Sequence, residues 1–338
     1  MEANKQPPLA SDASGRPVHT PVMLDRIVEL LTPALQAPGA IHVDVTLGMA
    51  GHASAILAAN PQAHLVGIDR DDQALAIAEE VLAPFADRVD LVQARFDALD
   101  DVLDDLGVGQ VASLLADLGL SSLQIDQTAR GFAYAVDAPL DMRMDPTAPR
   151  TAADLLNQAP QRDLVRILKR YGEEPHAERI ARGIVAARAE APFTTSARLV
   201  ETISAALPAA VRHGGGHPAK RTFQALRIEV NGELDALAGL LPAALDRLLV
   251  GGRAAVLAYH SLEDRMVKKT FAAAASDSAP PRLPVVPEQL LARFSALTRG
   301  AEKPEPAEIA TNPRAASARL RAVQRIRPAA GAGRQEHR

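Results

Sequence analysis

Residues 41–54, Ile-His-Val-Asp-Val-Thr-Leu-Gly-Met-Ala-Gly-His-Ala-Ser, decide the fold together with the apolar run that follows at 64–68. The first apolar run reaches Asp44, a loop with two glycines follows, and the second run ends on Asp69. Strand, glycine loop, helix, strand and acid in this order predict the first half of a nucleotide-binding βαβ unit. The glycines let the backbone approach a ligand closely, and the acid can accept hydrogen bonds from two ribose hydroxyls.

The glycine loop is a poor match to a dinucleotide site. A pyrophosphate-binding loop needs three glycines in a G-x-G-x-x-G frame, whereas residues 47–52 read Leu-Gly-Met-Ala-Gly-His. Asp44 is also a poor neighbour for a pyrophosphate and a good one for a cation. S-adenosylmethionine (SAM) has an adenosine, a sulfonium and an amino group but no phosphate, so it fits better than NAD. An ordinary βα turn without a ligand stays open as an alternative for this feature alone.

Composition limits the classes of protein that the chain can belong to. It has 338 residues, 47% of them hydrophobic, a net charge of −4 and no cysteine. This length predicts about two domains, and the lack of cysteine excludes disulfides, thiolate metal sites and cysteine nucleophiles. Since no apolar run approaches the roughly 20 residues of a membrane span, and residues 1–16 lack an apolar leader, we expect a cytoplasmic protein without a membrane partner. Any nucleic-acid binding must depend on local basic patches.

The order of predicted elements indicates an α/β fold with a doubly wound, mostly parallel sheet. The predicted strands are 41–45, 64–68, 89–93, 111–116 and 254–259, and the helices between the first four are 51–59, 71–83 and 97–106. Residues 121–216 have a helical pattern, with helices at 154–171, 174–188 and 195–207, which predicts an inserted helical domain. The α/β domain then comprises 18–120 and 217–327, including a long helix at 222–250. We expect 1–17 and 328–338 to be disordered tails.

Candidate functional residues lie at the carboxyl ends of the predicted strands, where open parallel sheets bind their ligands. These residues are Asp44, Asp69, Phe96, Asp117 and His260. Phe96 could pack on an adenine or belong to the core. Asp117 could accept a hydrogen bond from an exocyclic amine, which frees the nitrogen lone pair for attack on a methyl group. A helix cap or an ordinary loop acid is the alternative for Asp117.

Further segments have a functional interpretation and an alternative to it. Residues 130–146 combine two prolines, alternating Asp and Met, and two arginines, which indicates either a functional loop or an internal salt-bridge network. Lys220 and Arg221 near a helix start could contact phosphate or form an exposed face. The His-Gly-Gly-Gly-His segment at 213–217 is interpreted as a solvated loop rather than a metal pair, and without a G-x-S-x-G elbow Ser261 is not a nucleophile. Five arginines suit either an RNA backbone or solvent: Arg314, Arg319, Arg321, Arg325 and Arg327.

Taken together, these motifs resemble the RsmH (MraW) family of bacterial 16S rRNA (cytosine-N4) methyltransferases. The resemblance covers about 19–326, and Asp-Met-Arg-Met-Asp (141–145) with His-Ser-Leu-Glu-Asp-Arg (260–265) carries most of its specificity. The other matching segments are His-Thr-Pro-Val-Met-Leu (19–24), Gly-Ile-Asp-Arg-Asp (67–71), Asp-Leu-Gly-Leu-Ser-Ser (117–122), Tyr-Gly-Glu-Glu (171–174), His-Pro-Ala-Lys-Arg-Thr-Phe-Gln-Ala-Leu-Arg-Ile (217–228) and Asn-Pro-Arg (312–314). The resemblance implies a class I SAM-dependent, Rossmann-like methyltransferase whose helical insert helps to hold RNA. It further implies methylation of the exocyclic N4 amine of a cytidine in the decoding region.

The resemblance also implies roles for individual residues. Cofactor contacts fall on Ala50, Gly51, His52, Asp69, Phe96, Asp117 and Gln124, with Asp44 beside them. We expect Asp117 to be the polar group closest to the reacting amine, His260 to hold or relay its proton, and Asp141 with Arg143 to shape the pocket. The candidate RNA contacts are Lys220, Arg221, Arg143 and Arg314, with Phe132 and Tyr134 as candidates for base stacking. No metal ligand is assigned.

One departure from the family pattern concerns the glycine loop. The family sequence is usually Asp-Gly-Thr-x-Gly-x-Gly-Gly-His, whereas Val45 and Ala50 stand here at two of the glycine positions. Ala50 needs a backbone angle that glycine adopts more easily. We expect an active enzyme whose partner is 16S rRNA or the small ribosomal subunit. A SAM-fold RNA-binding or assembly factor that has lost catalysis is the alternative, and the oligomeric state stays open.

Overall fold

The structure is a computed structural model that describes residues 20–212, 217–280 and 287–328. The expected disordered tails therefore lie outside the described residues, apart from Pro328, and so does most of the glycine-rich segment 213–217. Backbone contacts divide the chain into two units. The first, the sheet unit, comprises the described residues up to Asp69, Gln73–Gly119 and the described residues from Leu241 onward. The second, the helical unit, comprises Arg70–Asp72 and Leu120–Leu240, so it continues past residue 216, where the predicted insert ends.

The strands of the sheet unit form one seven-stranded sheet in the described residues. In chain order they are β1 (Ile41–Asp44), β2 (His64–Asp69), β3 (Val89–Gln93), β4 (Val111–Asp117), β5 (Leu248–Ala258), β6 (Phe294–Ala296) and β7 (Arg319–Arg325). Their order across the sheet is β3-β2-β1-β4-β5-β7-β6. The first five are parallel, and β7 is antiparallel to both of its neighbours. The prediction of a doubly wound, mostly parallel sheet is confirmed, and this is the class I methyltransferase fold.

Fourteen α-helices lie in the described residues. In chain order they are α1 (Leu24–Leu31), α2 (Gly51–Ala59), α3 (Asp72–Leu82), α4 (Leu99–Asp105), α5 (Ser122–Asp126), α6 (Ala152–Gln158), α7 (Gln161–Gly172), α8 (Ala177–Glu190), α9 (Ser196–Ala206), α10 (Ala209–Arg212), α11 (Lys220–Asn231), α12 (Glu233–Arg247), α13 (Ser261–Ala274) and α14 (Pro306–Thr311). None of the described helices is long and apolar enough to span a membrane. The helices α5 to α11 belong to the helical unit.

Two predicted helices are each two helices in the structure, so those predictions were wrong. The helix predicted at 154–171 is interrupted between α6 and α7 at Pro160, which has no N–H and restricts the residue before it. The helix predicted at 222–250 is interrupted at Gly232, whose φ of 62° ends α11 in the left-handed conformation that glycine adopts without strain. Hydrophobic periodicity continues across both breaks, because each pair of helices buries an apolar face.

The core of the sheet unit positions the loop after β1. Ile27, Leu30 and Leu31 of α1 pack with apolar side chains of β5 and β7 on one side of the sheet. Ala53 and Leu57 of α2 pack with Leu65 of β2. Burying such side chains contributes about 1.5–3 kcal/mol for each large residue. The carboxyl ends of β1, β2 and β4 therefore lie side by side at one edge of this packed sheet.

Candidate functional site

Three aspartates end adjacent parallel strands. Asp44 ends β1, Asp69 ends β2 and Asp117 ends β4. Asp44 is only 1% exposed, whereas the Asp117 side chain is 25% exposed. The pKa of Asp44 is raised to about 7, mainly by burial and also by the like charges of Asp117 and Asp69, while hydrogen bonds from Thr46 oppose this rise. The sequence predicts that these three residues lie at the carboxyl edge of the sheet, and the structure places them there.

The loop after β1 is held by these carboxylates. The Thr46 backbone N–H donates to Asp44 Oδ1 at 3.1 Å, and the Gly48 N–H donates to Asp69 Oδ2 at 2.7 Å. The Thr46 hydroxyl accepts a hydrogen bond from the Asp117 N–H at 2.6 Å, which ties the loop to β4. Sequence reasoning missed Thr46, although a hydroxyl two residues after an aspartate is a common turn signal.

Near the end of the loop, Ala50 has the left-handed backbone conformation that is expected where the family pattern has glycine. Ala50 is buried with φ 61°, a left-handed conformation that costs an alanine about 1 kcal/mol. Gly51 begins α2, and a Cβ at this position would lie 2.5 Å from Pro21 Cγ. Val45 is buried, and its backbone N–H donates to the Leu115 carbonyl. The chain therefore keeps the loop with alanine at one position where the family has glycine.

Asp117 lies between a tyrosine and a histidine. Tyr259, directly after β5, donates its hydroxyl hydrogen to Asp117 Oδ1 at 2.8 Å. His52 on α2 has its Nδ1 3.6 Å from Asp117 Oδ2, and its Nε2 lies 3.0 Å from the Val22 carbonyl oxygen. Burial raises the pKa of Asp117 from its usual value, and burial beside Asp117 raises the pKa of Tyr259 as well. We call Asp44, Asp69, Asp117, His52 and Tyr259 the strand-end cluster.

His260 caps the following helix. Its backbone N–H donates to Glu263 Oε2 at 3.2 Å, its Nδ1 accepts from the Glu263 N–H at 3.4 Å, and its Nε2 lies 3.2 Å from Glu263 Oε1. This capping box at the start of α13 gives the predicted proton-relay residue a structural role. Tyr259, its neighbour in sequence, is the residue that contacts Asp117, and only its position after an apolar strand could have indicated this.

Phe96 and Gln124, the other predicted cofactor residues, lie outside the strand-end cluster. Phe96 begins a short 3-10 helix, Phe96–Ala98, after β3 and is half-buried. Gln124 belongs to the helical unit, where it is buried. Its Oε1 accepts from the Ser121 N–H, and its Nε2 donates to Asp71 Oδ2 at 3.1 Å. The Gln124 amide is therefore satisfied within its own unit.

The segment 130–146, here called the arginine loop, is held by arginine side chains. The Arg130 Nη2 donates to Asp71 Oδ2 and to the carbonyls of Arg143 and Met144. Arg143 donates to both oxygens of Asp141, at 2.8 and 2.7 Å. Burial raises the pKa of Asp141, but the hydrogen bonds from Arg143 outweigh this effect and hold it below its usual range. Asp141 and Arg143, expected to shape a pocket and contact RNA, are thus paired with each other.

The remaining candidate RNA contacts differ in their surroundings. Lys220 and Arg221 begin α11 and are exposed, with the Arg221 Nη1 3.4 Å from the Glu173 carbonyl. Arg314 lies half-buried in the sheet unit, in the 3-10 helix Pro313–Ser317. Tyr134 stacks on His217 with ring centroids 4.4 Å apart.

Two arginines of the C-terminal region stabilise the sheet unit. Arg325 is buried and donates to the carbonyls of Asp246 and Leu248, near the end of α12. Arg321 donates to both oxygens of Asp264 on α13. The charge of these residues suggested RNA, but their guanidinium groups bind protein atoms.

Comparisons with known proteins show which family the sequence matches. The model of a family described as the MraW methylase family matches residues 16–326. The Ribosomal RNA small subunit methyltransferase H of Cutibacterium acnes is 58% identical over 322 residues, which cover 95% of this chain and 96% of the relative. The protein of the same name from Streptomyces avermitilis is 59% identical over 309 residues, 91% of this chain and 97% of the relative. A solved structure, a putative rRNA-methylase from Clostridium thermocellum, is 12% identical, with a TM-score of 0.42 and coverage of 91% and 100%.

Proposed function

The chain belongs to the MraW methylase family and is a SAM-dependent methyltransferase, and from this premise we propose that it methylates the exocyclic N4 amine of a cytidine in the decoding region of 16S rRNA. Relatives named Ribosomal RNA small subunit methyltransferase H, at 58% and 59% identity, support the small ribosomal subunit as the partner. A cytoplasmic location follows from that partner.

The observation that carries the proposal is the group of three carboxylates at the strand ends, of which Asp44 is buried. Asp44 has a pKa of about 7 because it is buried and faces the like charges of Asp117 and Asp69. Such a group gains stability from a bound cation, and SAM has a sulfonium and an amino group. Asp69 can hold ribose hydroxyls, and Asp44 can hold the cationic part of the ligand. The residues present therefore fit SAM.

The chemistry of the acceptor points to an amine. When bound, SAM supplies a methyl carbon whose bond to sulfur breaks, with its electron pair, as a bond to the acceptor nitrogen forms. Asp117 can accept a hydrogen bond from an exocyclic N–H, which localises the nitrogen lone pair for attack. Methylation at pyrimidine carbon 5 normally needs a cysteine nucleophile, and this chain has no cysteine. Methyl transfer to an amine therefore needs only alignment of the two reactants and a group that accepts the proton.

The helical unit supplies candidate contacts to RNA. Lys220 and Arg221 present exposed positive charge at the start of α11, where phosphate binding is favourable. Tyr134 and His217 form an aromatic pair in the same unit, beside Phe223. Phosphate contacts and a few aromatic rings are the means by which proteins hold a single-stranded RNA segment.

Methyl transfer to unmodified small subunits tests the proposal. The purified chain and labelled SAM are incubated with small ribosomal subunits that lack the modification, and the RNA is digested and its nucleosides identified by mass spectrometry. We expect N4-methylcytidine at one site. Label on carbon 5 of a pyrimidine, or SAM binding without transfer to any subunit RNA, would contradict the proposed reaction. A chain that neither binds SAM nor transfers methyl would be the lapsed enzyme, which the three retained carboxylates disfavour.

A further inference from the structure

The His52 ring is held between two oxygen atoms that accept hydrogen bonds. Its side chain is 6% exposed, in the first turn of α2. Nε2 lies 3.0 Å from the carbonyl oxygen of Val22. A carbonyl oxygen can only accept, so Nε2 must carry a hydrogen. This contact fixes the tautomer of the neutral ring: Nδ1 is then the bare nitrogen.

The bare nitrogen faces a carboxylate. Nδ1 lies 3.6 Å from Asp117 Oδ2, within the distance of an ion pair and beyond that of a hydrogen bond. The other oxygen of Asp117 accepts from the Tyr259 hydroxyl at 2.8 Å, so Tyr259 cannot donate to Oδ2 in the same arrangement. With His52 neutral and Asp117 ionised, a lone pair faces a negative oxygen. One added proton, on either atom, turns this repulsion into an attraction.

We propose that His52 and Asp117 together, rather than Asp117 alone, receive the proton that the methylated amine releases and then share it. The inference rests on the proposed function. As the nitrogen bonds to the methyl carbon it becomes positively charged; an N–H bond then breaks, its electrons stay on nitrogen, and the proton moves to Asp117 Oδ2. His52 Nδ1 stabilises that proton until it is released to solvent. His52 acts through Asp117 and is therefore a positioning residue.

The charged groups around the pair support this assignment. A positive His52 lowers the pKa of Asp117, while burial and the neighbouring charge of Glu263 raise it. Asp44 lies close enough to interact electrostatically with Asp117. His42 on β1 interacts electrostatically with His52, but its burial lowers its own pKa to about 3, so it stays neutral at physiological pH. Tyr259, which also faces Glu263 and Glu308, has a raised pKa and remains a donor.

The first test needs neither substrate nor methyl donor. Nitrogen-15 NMR of the histidine rings in the full chain reports which nitrogen carries hydrogen and at which pH each ring titrates. We expect the neutral His52 ring to carry hydrogen on Nε2. In Asp117→Asn the neutral ring should keep its hydrogen on Nε2, because the contact with the Val22 carbonyl is unchanged. Hydrogen on Nδ1 in the wild-type chain would overturn the proposal even if the variant failed to fold.

The second test is the pH dependence of turnover in His52→Gln. The Gln amide can keep the hydrogen bond to the Val22 carbonyl but cannot hold a proton beside Asp117. Without the ring nitrogen that stabilises the transferred proton, Asp117 holds that proton less tightly, so we expect the acidic limb of kcat to move down by about one pH unit. At high pH kcat should be lower in the variant by up to roughly tenfold, because Asp117 alone is the weaker base. His64→Gln, at a partly exposed histidine that pairs with Asp90, is the matched control and should keep the wild-type profile.

The two tests separate the possible failures. A uniform loss of kcat at all pH values in His52→Gln, with an unshifted limb, would make His52 a purely structural residue and overturn the proposal. If the NMR result holds but no methyl transfer to cytidine is found, then the proposed function fails while the proton-sharing geometry stands.

Discussion

The strand-end cluster and the arginine loop both combine acids with other polar side chains, but their surroundings shift the pKa values of these acids in opposite directions. In the strand-end cluster, Asp44 faces Asp117 and Asp69, and its pKa rises to about 7. In the arginine loop, Asp141 is bound by Arg143 and its pKa falls. Like charges that face one another at a buried carboxylate cost stability, whereas a carboxylate bound by an arginine stabilises its surroundings.

The comparison also bears on a segment for which the sequence left two interpretations open. Both regions contain several acids, and the sequence indicated a possible function for both. For the arginine loop it left two interpretations, a functional loop or an internal salt-bridge network. The structure supports the network, because Arg130 and Arg143 donate to groups within the helical unit. Asn231 adds to it by donating to the Met142 carbonyl and accepting from the Met144 N–H.

The largest expected effect is on turnover in Asp117→Asn. Asparagine keeps an acceptor for the Tyr259 hydroxyl but cannot take a proton, so kcat should fall about 1000-fold, equivalent to about 4 kcal/mol of barrier. The melting temperature should be unchanged or higher, since an acid with a raised pKa has been removed. Single-turnover methyl transfer and calorimetry measure the two quantities. Asp90→Asn, at an acid that pairs with His64, is the control, and near-normal turnover in Asp117→Asn would remove this residue from the reaction.

The second-largest expected effect is a gain in stability above neutral pH in Asp44→Asn, measured without ligand. Because the pKa of Asp44 rises from 3.8 to about 7 on folding, the folded chain retains a proton that the unfolded chain loses between these values. The free energy of unfolding therefore falls as pH rises across this window, and above it the neutral variant should be more stable by roughly 4 kcal/mol at most. Urea unfolding at several pH values checks this, with the exposed Asp87→Asn as control. Equal stability of variant and wild type above neutral pH would show that the cluster carries no electrostatic cost.

A loss of stability of similar size is expected in the arginine loop. Arg130→Met removes the guanidinium that binds the fully buried Asp71 and two carbonyls, and breaking such a buried pair costs about 3 kcal/mol. Arg162→Met, at an exposed arginine of α7, is the control and should change little. Thermal unfolding followed by hydrogen exchange in the helical unit measures the difference. If Arg130→Met were as stable as the control, the arginine loop would not be a stabilising network.

The smallest effect compares two residues with left-handed backbones, Ala50 in the loop after β1 and Met142 in the arginine loop. Ala50→Gly relieves about 1 kcal/mol of strain but loses a buried methyl worth about 0.8 kcal/mol, so stability should hardly change. Met142→Gly relieves the same strain but loses a whole buried side chain and should destabilise by about 2 kcal/mol. Chemical unfolding of both variants gives the comparison. A clear stabilisation by Ala50→Gly would mean that the alanine strains the loop more than its backbone angle indicates.

Much of the sheet unit could be predicted from sequence, because its buried parallel strands are short apolar runs in the sequence. Three of these runs end in an acid. The strands β1 to β4 lie close to their predicted positions, and Asp44, Asp69 and Asp117 end three of them. Helix boundaries were harder: Pro160 and Gly232 interrupt segments whose apolar periodicity is continuous. The extent of the helical unit was also hard to see, because helices lie on both sides of the predicted boundary at residue 216, α10 before it and α11 after it.

The sequence by itself determined the order of strands and helices, the three strand-end acids and the absence of cysteine chemistry, since these depend on local pattern and residue type. Only the tertiary structure decided which polar groups meet. It placed Tyr259 rather than His260 on Asp117, bound Arg143 to Asp141, and held His52 between Val22 and Asp117. The physical reason is that the pKa and role of a charged side chain depend on its partners within a few ångströms, and these partners come from distant parts of the chain.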